Sequence, residues 1–92
     1  MEKGVEITKY IHSIEKDPNT YLERNLVPER YERLKNFIAA HGLTGKEKRL
    51  DVYIGHRTET KEPLYEISLE FEGYTEALKI QVSPEEMKGN DA

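Results

Sequence analysis

The sequence predicts an α+β domain in which two or three N-terminal helices pack on one face of a three-stranded antiparallel β-meander. Two observations carry that prediction. Up to Gly42 the apolar residues recur at spacings of three, four and seven, and beyond Arg49 they alternate with polar residues. The change of period falls in a short connector, Leu43 to Arg49, rich in Gly and Lys.

The first helix is expected over residues 4 to 16, because Ile7, Tyr10, Ile11 and Ile14 gather on one stripe at about 100° per residue. That stripe is expected to be buried. Asp17 and Pro18 then interrupt the chain, with Asp17 able to cap a new turn and Pro18 suited to its first position. A short helix over 18 to 25 follows, contributing Leu22 and Leu26. A second long helix opens at Pro28 and carries Val27, Tyr31, Leu34, Phe37 and Ile38 toward the core. Gly42, free to take a left-handed conformation, closes it near residue 41.

Three strands are expected next. Leu50, Val52 and Ile54 form one apolar face, Tyr65, Ile67, Leu69 and Phe71 a second, and Leu78, Ile80 and Val82 a third. A two-residue turn at Glu72 and Gly73 would set Phe71 against Tyr74, Ile67 against Leu78, Tyr65 against Ile80 and Glu66 against Lys79. The connection over 56 to 63, which contains Pro63, is expected to be a mobile loop. Ser83 to Glu86 could start a last helical turn. The whole reads as one domain over residues 1–87 with a flexible tail at 88–92.

Composition narrows the function classes. The chain has 92 residues, 14 Lys and Arg against 18 Asp and Glu, and a net charge of -4, so it is not a generally basic polyanion binder. With no cysteine, disulfides, thiolate metal sites and a catalytic thiol are excluded. No apolar run approaches the roughly 18 to 20 residues a membrane span needs, and the first residues lack the apolar core of a secretory signal. A soluble, cytoplasmic protein with no membrane partner is the expectation.

Catalytic machinery is not expected, and neither is a metal or a cofactor. His12 falls off the apolar stripe of its helix, His41 sits where an imidazolium favours a helix C-terminus, and His56 enters a polar loop. None has the partner spacing of a zinc site. Glu66, Glu70 and Glu72 line the polar side of a strand instead of a closed cleft, and no serine has a nucleophile-elbow context. No phosphate-cradling glycine motif is present.

Nucleic-acid binding is the alternative, since three helices followed by a hairpin resemble a winged helix-turn-helix with residues 28 to 41 in the reading position. That helix lacks a basic stripe. The cations that could grip phosphates are Lys46, Lys48, Arg49, Arg57 and Lys61, around the connector and the first hairpin loop.

The main expectation is a small non-enzymatic module that binds and modulates a larger partner protein. Its candidate surface is the polar sheet face, where Tyr53, Glu66, Glu70, Lys79 and Gln81 surround one aromatic with charged and small residues. The sheet edges, taken as the first and third of the three strands, could also be completed by a second copy to form a homodimer. The last 29 residues, 64–92, hold seven acids against two bases, which favours a partner with a basic surface. A chain of this size and charge also fits a phage or mobile-element inhibitor whose acidic surface occupies a host nucleic-acid site.

Overall fold

A computed structural model describes residues 4–88. Its elements run β1 (Val5–Ile14), α1 (Pro18–Asn25), α2 (Pro28–Ala40), β2 (Glu47–Arg57), β3 (Pro63–Phe71), β4 (Leu78–Val82) and a 3-10 turn at Pro84–Glu86. The four strands form one antiparallel sheet in the order β1-β2-β3-β4.

The expected architecture of three strands under two or three helices is therefore corrected to four strands and two helices. The difference lies in residues 4 to 16, which form an edge strand and not a helix. Val5, Ile7, Thr8, Ile11 and Ile14 are all β-branched, a composition that fits a pleated surface and disfavours a helix. Helical spacing arose because β1 carries two register shifts against β2, between Ile7 and Lys9 and between Tyr10 and His12. Each extra residue in a bulge offsets a period of two, so four apolar side chains mimic a period of 3.6. With a strand in that position the winged-helix order is also overturned.

Both helices form where expected. Asp17 adopts φ 57 and ψ 61, and its carboxylate accepts a 2.7 Å hydrogen bond from the Thr20 hydroxyl. Leu22 and Leu26, with Leu34 and Ile38 of α2, pack on Leu50, Val52, Ile67, Leu69, Phe71, Ile80 and Val82. Each such burial contributes about 1.5 to 3 kcal/mol, and it is what holds an eight-residue α1 helical. Ile11 and Ile14 reach the same cluster from β1.

The β3–β4 register differs by two residues from the expected one. Tyr65 pairs with Val82, Ile67 with Ile80, Ser68 with Lys79 and Leu69 with Leu78, which puts Glu66 opposite Gln81 and not Lys79. Tyr74 donates its N–H to the Phe71 carbonyl at 3.2 Å around Gly73, whose φ is 85, but β4 begins only at Leu78. A shift of two leaves every side chain on its face, so alternation alone had no power to detect it. Lys88, expected in the tail, donates its N–H to the Asn25 carbonyl at 2.7 Å, beside the Leu26–Met87 bridge. The rest of the expected tail, 89–92, lies outside the described residues.

Candidate functional site

Both helices contribute their buried residues to one side of the sheet, so by alternation Asp51, Tyr53, Glu66, Ser68, Glu70, Lys79 and Gln81 face the other. No element covers that outer side among the described residues. Register aligns its side chains in rows across the strands. Tyr10, Tyr53, Glu66 and Gln81 are successive partners through all four strands, and Ser13, Asp51, Ser68 and Lys79 form the neighbouring row. Glu70 pairs with Arg49 one step further along. The five residues expected on this face are thus brought together across three neighbouring strands.

The centre of the face is a network that the sequence did not disclose. Tyr10 and Tyr53 hold their ring centroids 5.3 Å apart at 55°, a tilted aromatic pair. The Tyr10 hydroxyl donates to Asp51 Oδ1 at 3.1 Å, and the Arg49 guanidinium donates to the same carboxylate at 3.3 Å and to Glu15 at 3.1 Å. Asp51 is 8% exposed and Ser68 9% exposed, although no second layer lies above them. Longer neighbours shield Asp51, and a buried carboxylate is tolerated where charge-assisted donors satisfy it.

Asp51 raises the affinity of the Arg49 guanidinium for its proton, chiefly through their hydrogen bond. Burial first, and the negative charge of Asp51 second, hold the Tyr53 hydroxyl above its usual 10.0. The Tyr53 hydroxyl is therefore neutral at physiological pH. Tyr10 is 49% exposed and Ile7, which pairs with Gly55, 41%. The sequence pattern places both on a buried helical stripe; the density of β-branched residues marks β1 as a strand, and pairing with Gly55 and Tyr53 turns Ile7 and Tyr10 to the outer face.

The five cations of the alternative reading do not converge. Lys46 and Lys48 lie at the start of β2 and Arg57 and Lys61 at its far end, about 30 Å away at roughly 3.3 Å per residue. Arg49, between them, is engaged by Asp51 and Glu15, and Arg57 lies 3.7 Å from Glu62. The histidines are scattered as well. His12 meets the Tyr21 ring edge-on at 5.6 Å and is half-buried in β1, not solvated on a helix. His41 lies at the C-terminus of α2 with Nδ1 2.9 Å from the Phe37 carbonyl oxygen, and His56 approaches Glu6 at 3.6 Å.

No group of three or more His, Asp or Glu among the described residues is placed to hold a metal ion. No helix among them is long and apolar enough to cross a membrane. Comparison with protein-family models, with curated proteins and with solved structures finds no match to this chain, so the site is read from its own geometry.

Proposed function

We propose that the chain is a small, non-enzymatic module that binds a larger partner protein through the outer face of its sheet and modulates that partner. The observation that carries this reading is the Tyr10–Tyr53 pair on an uncovered sheet face, with Tyr10 exposed and hydrogen-bonded to the Arg49–Asp51 network and Tyr53 half-buried against it. Tyrosine is enriched at interfaces because its ring buries area at a low entropic cost while its hydroxyl retains a polar partner. Fixing the rings before contact reduces the ordering cost of binding.

Charge indicates the kind of partner. Glu15, Asp51, Glu66 and Glu70 outnumber Arg49 and Lys79 around the pair, so a partner with a basic surface is favoured. A cysteine-free chain of this size fits a reducing compartment, and the cytoplasm is the proposed location.

The test is affinity capture from cell extract with wild type, the Tyr10→Ala/Tyr53→Ala double variant, and Glu32→Ala on the exposed side of α2 as a control. Circular dichroism confirms that each variant is folded. Wild type and Glu32→Ala are expected to retain the same partner while the double variant loses it. Equal recovery by all three would remove the outer face from consideration.

A further inference from the structure

On the helix side of the sheet, at its β4 edge, α2 and β4 enclose a groove of about 350 Å³. We propose that this groove docks an extended acidic peptide segment of another protein, which adds to β4 as a fifth strand and seats an apolar side chain against Phe37 and Leu78. The groove meets the outer face at Lys79 and Gln81 of the β4 edge but opens on the other side of the sheet from the tyrosine pair, and the proposal does not depend on that reading.

Backbone, floor and walls each support it. Among the described residues β4 has β3 as its single neighbour, so alternate N–H and C=O groups of Leu78–Val82 face outward, unpaired within that sheet. The opposite edge, β1, carries two bulges, which interrupt a regular ladder and make it the poorer template. Leu34 and Ile80 are buried in the floor, while Phe37 remains 44% exposed at the rim. An exposed phenylalanine beside an open strand edge provides the apolar anchor that main-chain pairing alone lacks.

The walls select the partner's charge. Arg30 and Arg33 line the groove from α2 on a chain whose net charge is -4, and Lys79, whose side chain belongs to the outer face, adds its charge only at the shared β4 edge. One carboxylate, Glu86, meets both arginines, at 3.7 and 3.0 Å, which leaves the groove positive. A second copy paired through β4 about a two-fold axis would set one positively charged edge against another, so like charges oppose that occupant. An acidic strand meets opposite charge along the same edge.

A phage-displayed random-peptide library selected on the full chain tests this. Enriched peptides are expected to alternate apolar residues with Asp or Glu. A synthetic representative should shift the backbone amide resonances of Leu78–Val82, bind more weakly as salt is raised, and lose at least about tenfold in affinity on Phe37→Glu or Arg33→Glu. Both substitutions fall at exposed helix positions, and circular dichroism checks that they leave the fold intact. Tyr53→Ala should leave the peptide's affinity unchanged, which separates this groove from the outer face. Absence of enrichment, peptides without acidic residues, resonance shifts confined to β1, or unaltered binding to Phe37→Glu would each overturn the proposal. So would dimerisation of the wild type that Phe37→Glu abolishes, because the occupant would then be a second copy.

Discussion

The Tyr10 hydroxyl lies 3.1 Å from Asp51 Oδ1, joining residues 41 positions apart and fixing edge strand β1 to the sheet by a side chain as well as by its ladder. Asp51 is also the acceptor for Arg49, so one buried carboxylate orients both the aromatic and the cation on the outer face. Replacing it disturbs two groups. Asp51→Ala is expected to destabilise the fold by about 1 to 3 kcal/mol, the usual range for deleting one partner of a buried hydrogen-bonded charge. Tyr10→Phe should cost about 0.5 to 1.5 kcal/mol, and less again in an Asp51→Ala background because the bond is already gone. Urea unfolding of the two single variants and the double variant measures the coupling, and strictly additive losses would mean that the bond contributes nothing.

Alkaline pH should weaken the fold through its tyrosines. Burial, followed by the charge of Asp51, raises the Tyr53 hydroxyl above 10.0, and burial followed by Tyr65 raises Tyr21 in the same direction. The folded chain thus keeps these protons after the unfolded chain has released them. Their stabilising contribution is complete below pH 10.0 and is lost as pH rises through the higher folded values. Urea midpoints measured from about pH 9 to about pH 11 should fall for the wild type and fall less steeply for Tyr53→Phe, with Tyr21 responsible for part of the remaining slope. Identical slopes for the two proteins would contradict the placement of the Tyr53 hydroxyl.

How far the sequence discloses this arrangement depends on whether local pattern and tertiary pairing agree. Pro18, Pro28 and Gly42 place the ends of both helices, because caps and breakers act within a turn of where they occur. The inward alternation of Leu50, Val52, Ile67, Leu69, Ile80 and Val82 similarly identifies the faces of β2, β3 and β4. Two features depended on long-range pairing and were not legible. β1 acquires its bulges only by aligning with β2, and without them Ile7, Tyr10, Ile11 and Ile14 read as a helix. The edges consequently changed: β2, expected to be one of them, is covered by β1, and Tyr10 arrives beside Tyr53. Tyr53, Glu66, Glu70, Lys79 and Gln81 could be placed on one face from parity, whereas the role of Arg49 and Asp51 in organising it required the partner strand.

Gly55 provides a test of that covering strand. A Cβ at this position would collide with the Glu6 carbonyl oxygen and lie 3.0 Å from the Ile7 Cα, both backbone atoms of β1 that cannot rotate away. Glycine is required here for close approach of two chains. Gly55→Ala should displace the first half of β1 and destabilise the fold by roughly 1 to 3 kcal/mol, the scale of an overpacked site. Hydrogen exchange should show faster exchange in Val5–Ile7 with the β3–β4 ladder unchanged. Unaltered protection of β1 would show that it does not approach β2 this closely.

The basic residues make a quantitative prediction about phosphate binding. Duplex affinity falls with salt according to the number of phosphates neutralised, with a slope near -0.9 for each. Lys46 and Lys48 occupy one end of β2 and Arg57 and Lys61 the other, and Arg49 between them is already held by Asp51 and Glu15. Of these five cations Arg49 alone lies between the ends, and Arg57 has Glu62 3.7 Å away. The slope for a duplex should therefore have a magnitude below about 2, well short of a protein making many phosphate contacts. Reversing the charge at Lys48 or at Arg57 should leave retention on heparin nearly unchanged, since neither end neutralises enough phosphates to depend on the other. A steep salt slope, together with loss of retention on reversing either end, would show that the two clusters act on one polyanion and would restore the nucleic-acid reading.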